Sequence, residues 1–339
     1  MSAQPQANGS KAGQWAIIGV LVGFLLPIFT CVCLTAAVFS GVGSITSNIQ
    51  TVAMGDSSGV TTRQVSGPAT GPAVAVIRAT GVIVSGRGDD FGFGDIGVAA
   101  SEVIARLINE AARNGEVNAI VLFVDSPGGS VVGSDEIYHA LKKVDKPVVA
   151  YMGSTAASGG YYISLAAQHI VAHPDTLTGS IGVISEFTNI QGLYEKLGLR
   201  SEVIKSGEFK DFGNPTSPFT EEDRKLWQTV IDEVYENFVR LVAQNRKMSV
   251  EQAKALADGR IYTGRQALAL NLVDQLGYFE DAVNEAAKRG GIAGEPRVIE
   301  YRRSSPFLEL AGIRITRTVL QALGVPVELL YRPTGLQYR

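Results

Sequence analysis

The chain is 339 residues long, 45% hydrophobic and 19% charged, with 30 basic against 33 acidic side chains and a mean hydropathy of +0.14. It is too apolar for a disordered tail and too charged for a polytopic membrane protein. Residues 73–296 hold 21 basic and 29 acidic side chains, a net of −8, which argues against nucleic-acid binding by phosphate neutralisation.

After a short N-terminus, 1–14, the run from Trp15 to Phe39 is apolar and carries no charge, and as a helix it is long enough to cross a hydrocarbon core. It is too long for the apolar region of a cleaved signal peptide, and no small-x-small site follows it cleanly. Thr30 and Val32 precede the two cysteines, Cys31 and Cys33, so lipoprotein processing is not expected either. Both cysteines lie in this run, which leaves the rest without a disulfide framework, a thiolate metal site or a cysteine nucleophile. Lys11 precedes the span and Asp56 is the first charge after it. The expectation is a single-pass anchor held in lipid through residues 15–39, with the N-terminus cytoplasmic and the rest extracytoplasmic. Residues 40–72, rich in Gly, Ser and Thr, read as a flexible linker, with the folded domain beginning near Ala73.

The domain alternates strand and helix. Residues 73–84 are β-branched and alternating, and 98–114 place Val103, Ile104, Leu107, Ile108 and Ala111 on one helical face. AIVLFVD, 119–125, is the continuous apolar run of a strand covered on both faces. A helix over 134–144, a strand over 147–152 and a small-residue helix after the turn STAASGG follow. HIVAH (169–173) and SEVIK (201–205) read as short strands. This order predicts an α/β fold of right-handed βαβ units around a mainly parallel sheet. From Thr220 helices dominate, and Thr220/Asp223, Ser249/Gln252 and Thr263/Gln266 have capping-box spacing. The basic, amphipathic tail of 297–339 is suited either to anionic lipid or to packing on its own domain or a neighbour.

Some motifs argue against themselves. Gly92-x-Gly94-x-x-Gly97 matches a dinucleotide fingerprint, but Asp89, Asp90 and Asp95 crowd the loop where a pyrophosphate needs positive potential. His169 and His173 have the spacing of a zinc protease without its glutamate, and as strand residues their rings would stand about 13 Å apart. No metal and no cofactor is expected. His139 has no evident acidic partner, so a Ser-His-Asp triad is unsupported.

Two turns suit acyl chemistry. In Ala156-x-Ser158-x-Gly160 a serine stands at a strand-to-helix turn among residues too small to block it. In Asp125-Ser-Pro-Gly-Gly129 the glycines can aim backbone N–H groups into a cleft, as an oxyanion requires. With histidine poorly placed, Lys210 in Ser-Gly-Glu-Phe-Lys-Asp is a candidate base. A lysine does this work only where burial favours its neutral amine.

Taken in order, DSPGG (125–129), STAASGGYYI (154–163), TGSIGV (178–183), SGEFKD (206–211) and DGRIYTGRQA (258–267) resemble the serine peptidase family of signal peptide peptidase A and protease IV, in its short form. The resemblance runs from about residue 73 to 290. It implies a ClpP/crotonase-like fold of stacked βαβ units with a helical C-terminal part, and a peptidase domain over 73–296. It implies Ser158 as nucleophile, Lys210 as general base and Ser180 as the residue orienting the lysine, with an oxyanion hole on Gly128, Gly129 and Gly159. It further implies a homo-oligomeric ring in which one subunit's lysine serves its neighbour's serine. The expected activity is that of a membrane-anchored serine endopeptidase acting on signal-peptide remnants and other hydrophobic peptides. Asn271 departs from the pattern by standing where a glycine is usual. Two other readings compete: a crotonase-like acyl-CoA enzyme, which the anchor and the paired Ser and Lys disfavour, and a non-catalytic membrane scaffold.

Overall fold

The structure is a computed structural model in which residues 59–87 and 97–303 are described. The apolar span at 15–39, the linker to residue 58, the glycines at 92 and 94 and the tail from 304 lie outside the described residues. Among the described residues, no helix is long and apolar enough to cross a membrane.

The apolar runs form the centre of a mainly parallel sheet. β2 (Ala73–Thr80), β5 (Val117–Ser126), β6 (Val148–Ala157) and β7 (His169–Ala172) lie side by side and parallel. β10 (Gln275–Leu276) extends one side. β11 (Arg297–Arg303) and, antiparallel to it, β1 (Val60–Ser66) extend the other. Alternation along β2 divides the core. Ala73, Ala75, Ile77 and Ala79 face α1 (Ser101–Arg113), α2 (Val131–Lys142), α3 (Gly159–Ser164) and the end of α5 (Glu221–Arg246). Val74 and Val76 face α8 (Phe279–Arg289) through Ala282, Val283 and Ala286. The amphipathic reading of 98–114 holds for α1, whose Ile104, Leu107, Ile108 and Ala111 are buried.

Short elements complete the frame. β3 (Val82–Val84) pairs in parallel with β4 (Val98–Ala100). β8 (Leu177–Gly179) joins the last residues of β6 and pairs antiparallel with β9 (Ile261–Thr263). α4 (Gln191–Lys196) lies in the segment before α5, and α6 (Val250–Leu256) and α7 (Gly264–Ala269) follow it. All three capping boxes are formed, opening α5, α6 and α7.

The structure differs from the sequence reading at several points, and one is that β6 runs on to Ala157 through residues read as a turn. The linker expected over 40–72 contains β1, and the tail expected from 297 begins with β11, so both are strands of the main sheet. β1 is a polar edge strand with no buried side chain, and β11 buries a glutamate, so neither shows apolar alternation. SEVIK is no strand: residues 201–205 are exposed, and β-branching alone makes no strand without an edge to pair with. Asn271, at the glycine-like position, has φ 58° just beyond α7, a left-handed conformation that asparagine tolerates better than other side chains.

Candidate active site

β6 ends at Ala157, and Ser158 turns the chain into α3 with φ 51° and ψ −117°. That backbone ordinarily belongs to glycine, and a serine there stores about 1–3 kcal/mol of strain. Its surroundings hold it in place. The Ser158 N–H donates to Gly179 O at 2.8 Å, and Ser158 O accepts from Tyr162 N at 2.9 Å. The small neighbours are dictated by packing. A Cβ on Gly160 would stand 2.7 Å from Ser126 O, and one on Gly159 would stand 2.4 Å from Ser134 Oγ. The start of α3 therefore packs against the end of β5 and against α2 with no room for a side chain.

On the β5 side, Ser126 leads into the Pro127-Gly128-Gly129 turn. A Cβ on Gly128, whose φ is 99°, would lie 2.6 Å from Gly159 N and 2.9 Å from Ser158 Cβ. Of the two turn amides, Gly128 N–H donates to Ser126 Oγ at 3.1 Å. The N–H groups of Gly129 and Gly159 have no acceptor among the described residues. They border the same space, since a Cβ on Gly159 would be 3.4 Å from Gly129 N. Two free, pre-oriented donors beside Ser158 are suited to a developing oxyanion.

Two clefts meet at Ser158. One, of about 600 Å³, is walled by Val131 and Val132 of α2, Tyr162 of α3, and Val234, Phe238 and Leu241 of α5. Tyr162 donates its hydroxyl to Asp135 at 2.8 Å. Burial first, and then the Asp135 carboxylate, pushes that hydroxyl far above the ordinary phenol pKa, so it stays protonated. The other cleft, of about 450 Å³, brings Ser180 to Ser158 with Tyr235, Asp232 and Asp258. Ser180 has φ 48°, and its N–H donates to Arg260 O at 2.8 Å.

Lys210 is not brought to Ser158 within the chain. It is exposed and lines neither cleft. Its segment is braced by Lys205, which donates to Glu208 O at 2.7 Å and to Asp211 at 2.6 Å. The histidines have other partners. His169 Nε2 meets Gln275 and its Nδ1 meets Arg289, while His173 Nδ1 accepts from Asp175 N. Ser126 stands in view in DSPGG, and Val234, Phe238 and Leu241 are legible in the sequence as one face of an amphipathic helix, but nothing local ties them to Ser158, far away along the chain.

Fold and site together define an α/β domain of parallel βαβ units with a serine at a strand-to-helix elbow, and over residues 96–176 the chain matches the Clp protease family model. The family model described as peptidase family S49 matches residues 140–293. A Synechocystis sp. protein, provisionally named a protease, is 47% identical over 176 residues, 51% of this chain and 64% of that protein. An Enterococcus faecium protein, provisionally named signal peptide peptidase SppA, is 43% identical over 192 residues, 56% of each chain. Protease 4 of Haemophilus influenzae is 35% identical over 216 residues, 63% of this chain and 34% of that one. The chain thus spans about a third to two thirds of the length of these relatives. One solved structure, a ClpP1 mutant from Listeria monocytogenes, overlays with a TM-score of 0.40 at 19% identity, covering 61% of this chain and 94% of that one.

Proposed function

We propose that the protein is a membrane-anchored serine endopeptidase that cleaves hydrophobic peptides, including signal-peptide remnants, on the extracytoplasmic side of the cell membrane. The observation that carries this reading is the strained Ser158 elbow facing the free N–H groups of Gly129 and Gly159. Ser158 Oγ attacks the scissile carbonyl carbon as its proton passes to the neutral amine of Lys210, and the two amides hold the oxyanion. The tetrahedral adduct collapses, the C–N bond breaks, and the leaving amine takes the proton back from Lys210. Water then enters by the same route and hydrolyses the acyl-enzyme ester.

The exposed Lys210 belongs, in this reading, to a neighbouring subunit's site, reached through the smaller cleft where Ser180 stands ready to orient it. Closure of a ring between subunits desolvates the amine and favours its neutral form. The larger, mainly apolar cleft takes the substrate side chain next to the cut. Gly128 shapes the turn and does not donate, because Ser126 occupies its N–H.

The test is cleavage of a fluorogenic hydrophobic peptide by the full chain in detergent, with Ser158→Ala and Lys210→Ala alongside. Loss of activity in both variants, and covalent labelling of wild type but not Ser158→Ala by a fluorophosphonate, is the expected result. Full activity in Lys210→Ala would remove the dyad, and full activity in Ser158→Ala would remove the reading.

A further inference from the structure

On the reading of Ser158 as a nucleophile, we infer that Ser126 is a positioning residue for the oxyanion site: its buried hydroxyl holds the Gly128 N–H so that the next amide, Gly129 N–H, faces Ser158. Ser126 is the last residue of β5 and is fully buried. Its Oγ accepts from Gly128 N at 3.1 Å, which turns the 127–128 peptide away from the site.

The following peptide is held from the opposite side by β3. Gly128 O accepts from Ile83 N at 2.9 Å, and Ser130 N donates to Ile83 O at 2.8 Å. In a trans peptide the carbonyl and the N–H point in opposite directions. Pinning Gly128 O to β3 therefore sends Gly129 N–H the other way, toward Gly159 and the elbow. The turn is otherwise permissive, because Gly128 and Gly129 have φ of 99° and 150°, and glycine exchanges readily among such conformations. The Ser126 bond supplies the second constraint. Without it, Gly128 N–H is left buried without an acceptor, and the peptide is free to rotate in search of one. Ser126 touches no reacting atom; it acts through the orientation of the Gly129 donor. Any loss from removing it falls on the transition state, where the oxyanion exists, and not on substrate binding.

The test compares wild type, Ser126→Ala and Ser126→Cys in the full chain. The first removes the acceptor, and the second keeps the volume with a weaker acceptor. We expect kcat to fall about 10- to 100-fold in Ser126→Ala with KM within about twofold, and Ser126→Cys to lie between. The rate of fluorophosphonate labelling at Ser158 should fall in parallel, while the thermal midpoint of Ser126→Cys stays near wild type. A kcat in both variants equal to wild type, with Ser158→Ala inactive, would overturn the positioning role and leave the peptidase reading intact. A rise in KM at constant kcat would also overturn it. Wild type that neither cleaves peptide nor takes the label would overturn the peptidase reading, and the positioning role with it.

Discussion

Arg246 and Asp274 form a two-pronged ion pair, with Nη1 and Nη2 donating to the two carboxylate oxygens at 3.0 and 2.8 Å. Arg246 is 7% exposed and also donates from Nε to Asn271 O at 2.7 Å, while Asp274 accepts from Ile170 N at 2.8 Å. One arginine at the end of α5 thus locks that helix to β7 and to the chain between α7 and β10. Arg246→Ala leaves the partly exposed Asp274 unpaired and removes the bond to Asn271 O, so it should cost about 1–3 kcal/mol. Chemical denaturation should show this as a lower midpoint with an unchanged slope.

The same pair sets an acid limit. Burial alone would raise the Asp274 pKa, but the Arg246 hydrogen bonds and charge outweigh it and hold the carboxyl below its ordinary value. Burial pushes Glu300 upward in the same way, and Arg302 at 2.6 Å and Arg78 at 2.7 Å outweigh it and hold that carboxyl low as well. A carboxyl with a folded pKa below its unfolded one stabilises the fold fully above the unfolded value, roughly 4, and loses that contribution as pH falls through the folded value. Stability should therefore drop below about pH 4. Asp274→Asn and Glu300→Gln should start less stable at pH 7 and lose less between pH 5 and pH 2, as read by urea titration at each pH.

Among the described residues the first strand, β1, is held by its edge pairing with β11. Val60 pairs with Arg303 and Ser66 with Val298, and Arg63 reaches Glu300 at 3.0 Å. A protein starting at residue 73 leaves the β11 edge unpaired and open to other strands. Residues 73–339 should aggregate at concentrations where 59–339 stays dispersed. Light scattering of the two at equal concentration is the check.

If neighbouring subunits share each site, two inactive variants should rescue one another. Ser158→Ala supplies lysines and Lys210→Ala supplies serines. In a randomly mixed ring at equal amounts, about one quarter of the sites receive both, so activity should return to about a quarter of wild type. Co-expression, or unfolding and refolding of the mixture, followed by peptide cleavage reads this directly. Activity that stays at the level of the separate variants would place both residues in one subunit.

The α5 wall should govern substrate preference. Val234 lines the larger cleft and is only partly buried, so a lysine there leaves the fold intact and puts a charge beside the bound side chain. For Val234→Lys we expect KM for peptides with leucine at the cut to rise about tenfold, the equivalent of roughly 1.4 kcal/mol of apolar contact and desolvation. Peptides with an acidic residue in that place should gain in relative terms.

Several of these features were legible in the residues themselves. The apolar runs now forming β2, β5, β6 and β7 identified a buried parallel sheet, because a strand covered on both faces has no polar side to display. The helix face of Ile104, Leu107, Ile108 and Ala111 and the three capping boxes were equally plain, because such interactions join near neighbours in the chain. The Ser158 turn was visible because a serine elbow needs small neighbours in the adjoining sequence, and Gly159 and Gly160 provide them.

What only the tertiary structure decided involves groups distant in the chain. β1 and β11 stand at the two ends of the described chain and stabilise each other through backbone pairing, which leaves no mark in side-chain pattern. Which N–H of the 128–129 turn is left free rests on the Ser126 hydroxyl, which takes that of Gly128, and on Ile83, which reaches the turn from a strand well upstream. The separation of Lys210 from Ser158 within one chain is likewise a matter of packing. Sequence order places both in matched motifs, but the distance between their atoms depends on how the segments around them fold and on whether a second copy closes the site.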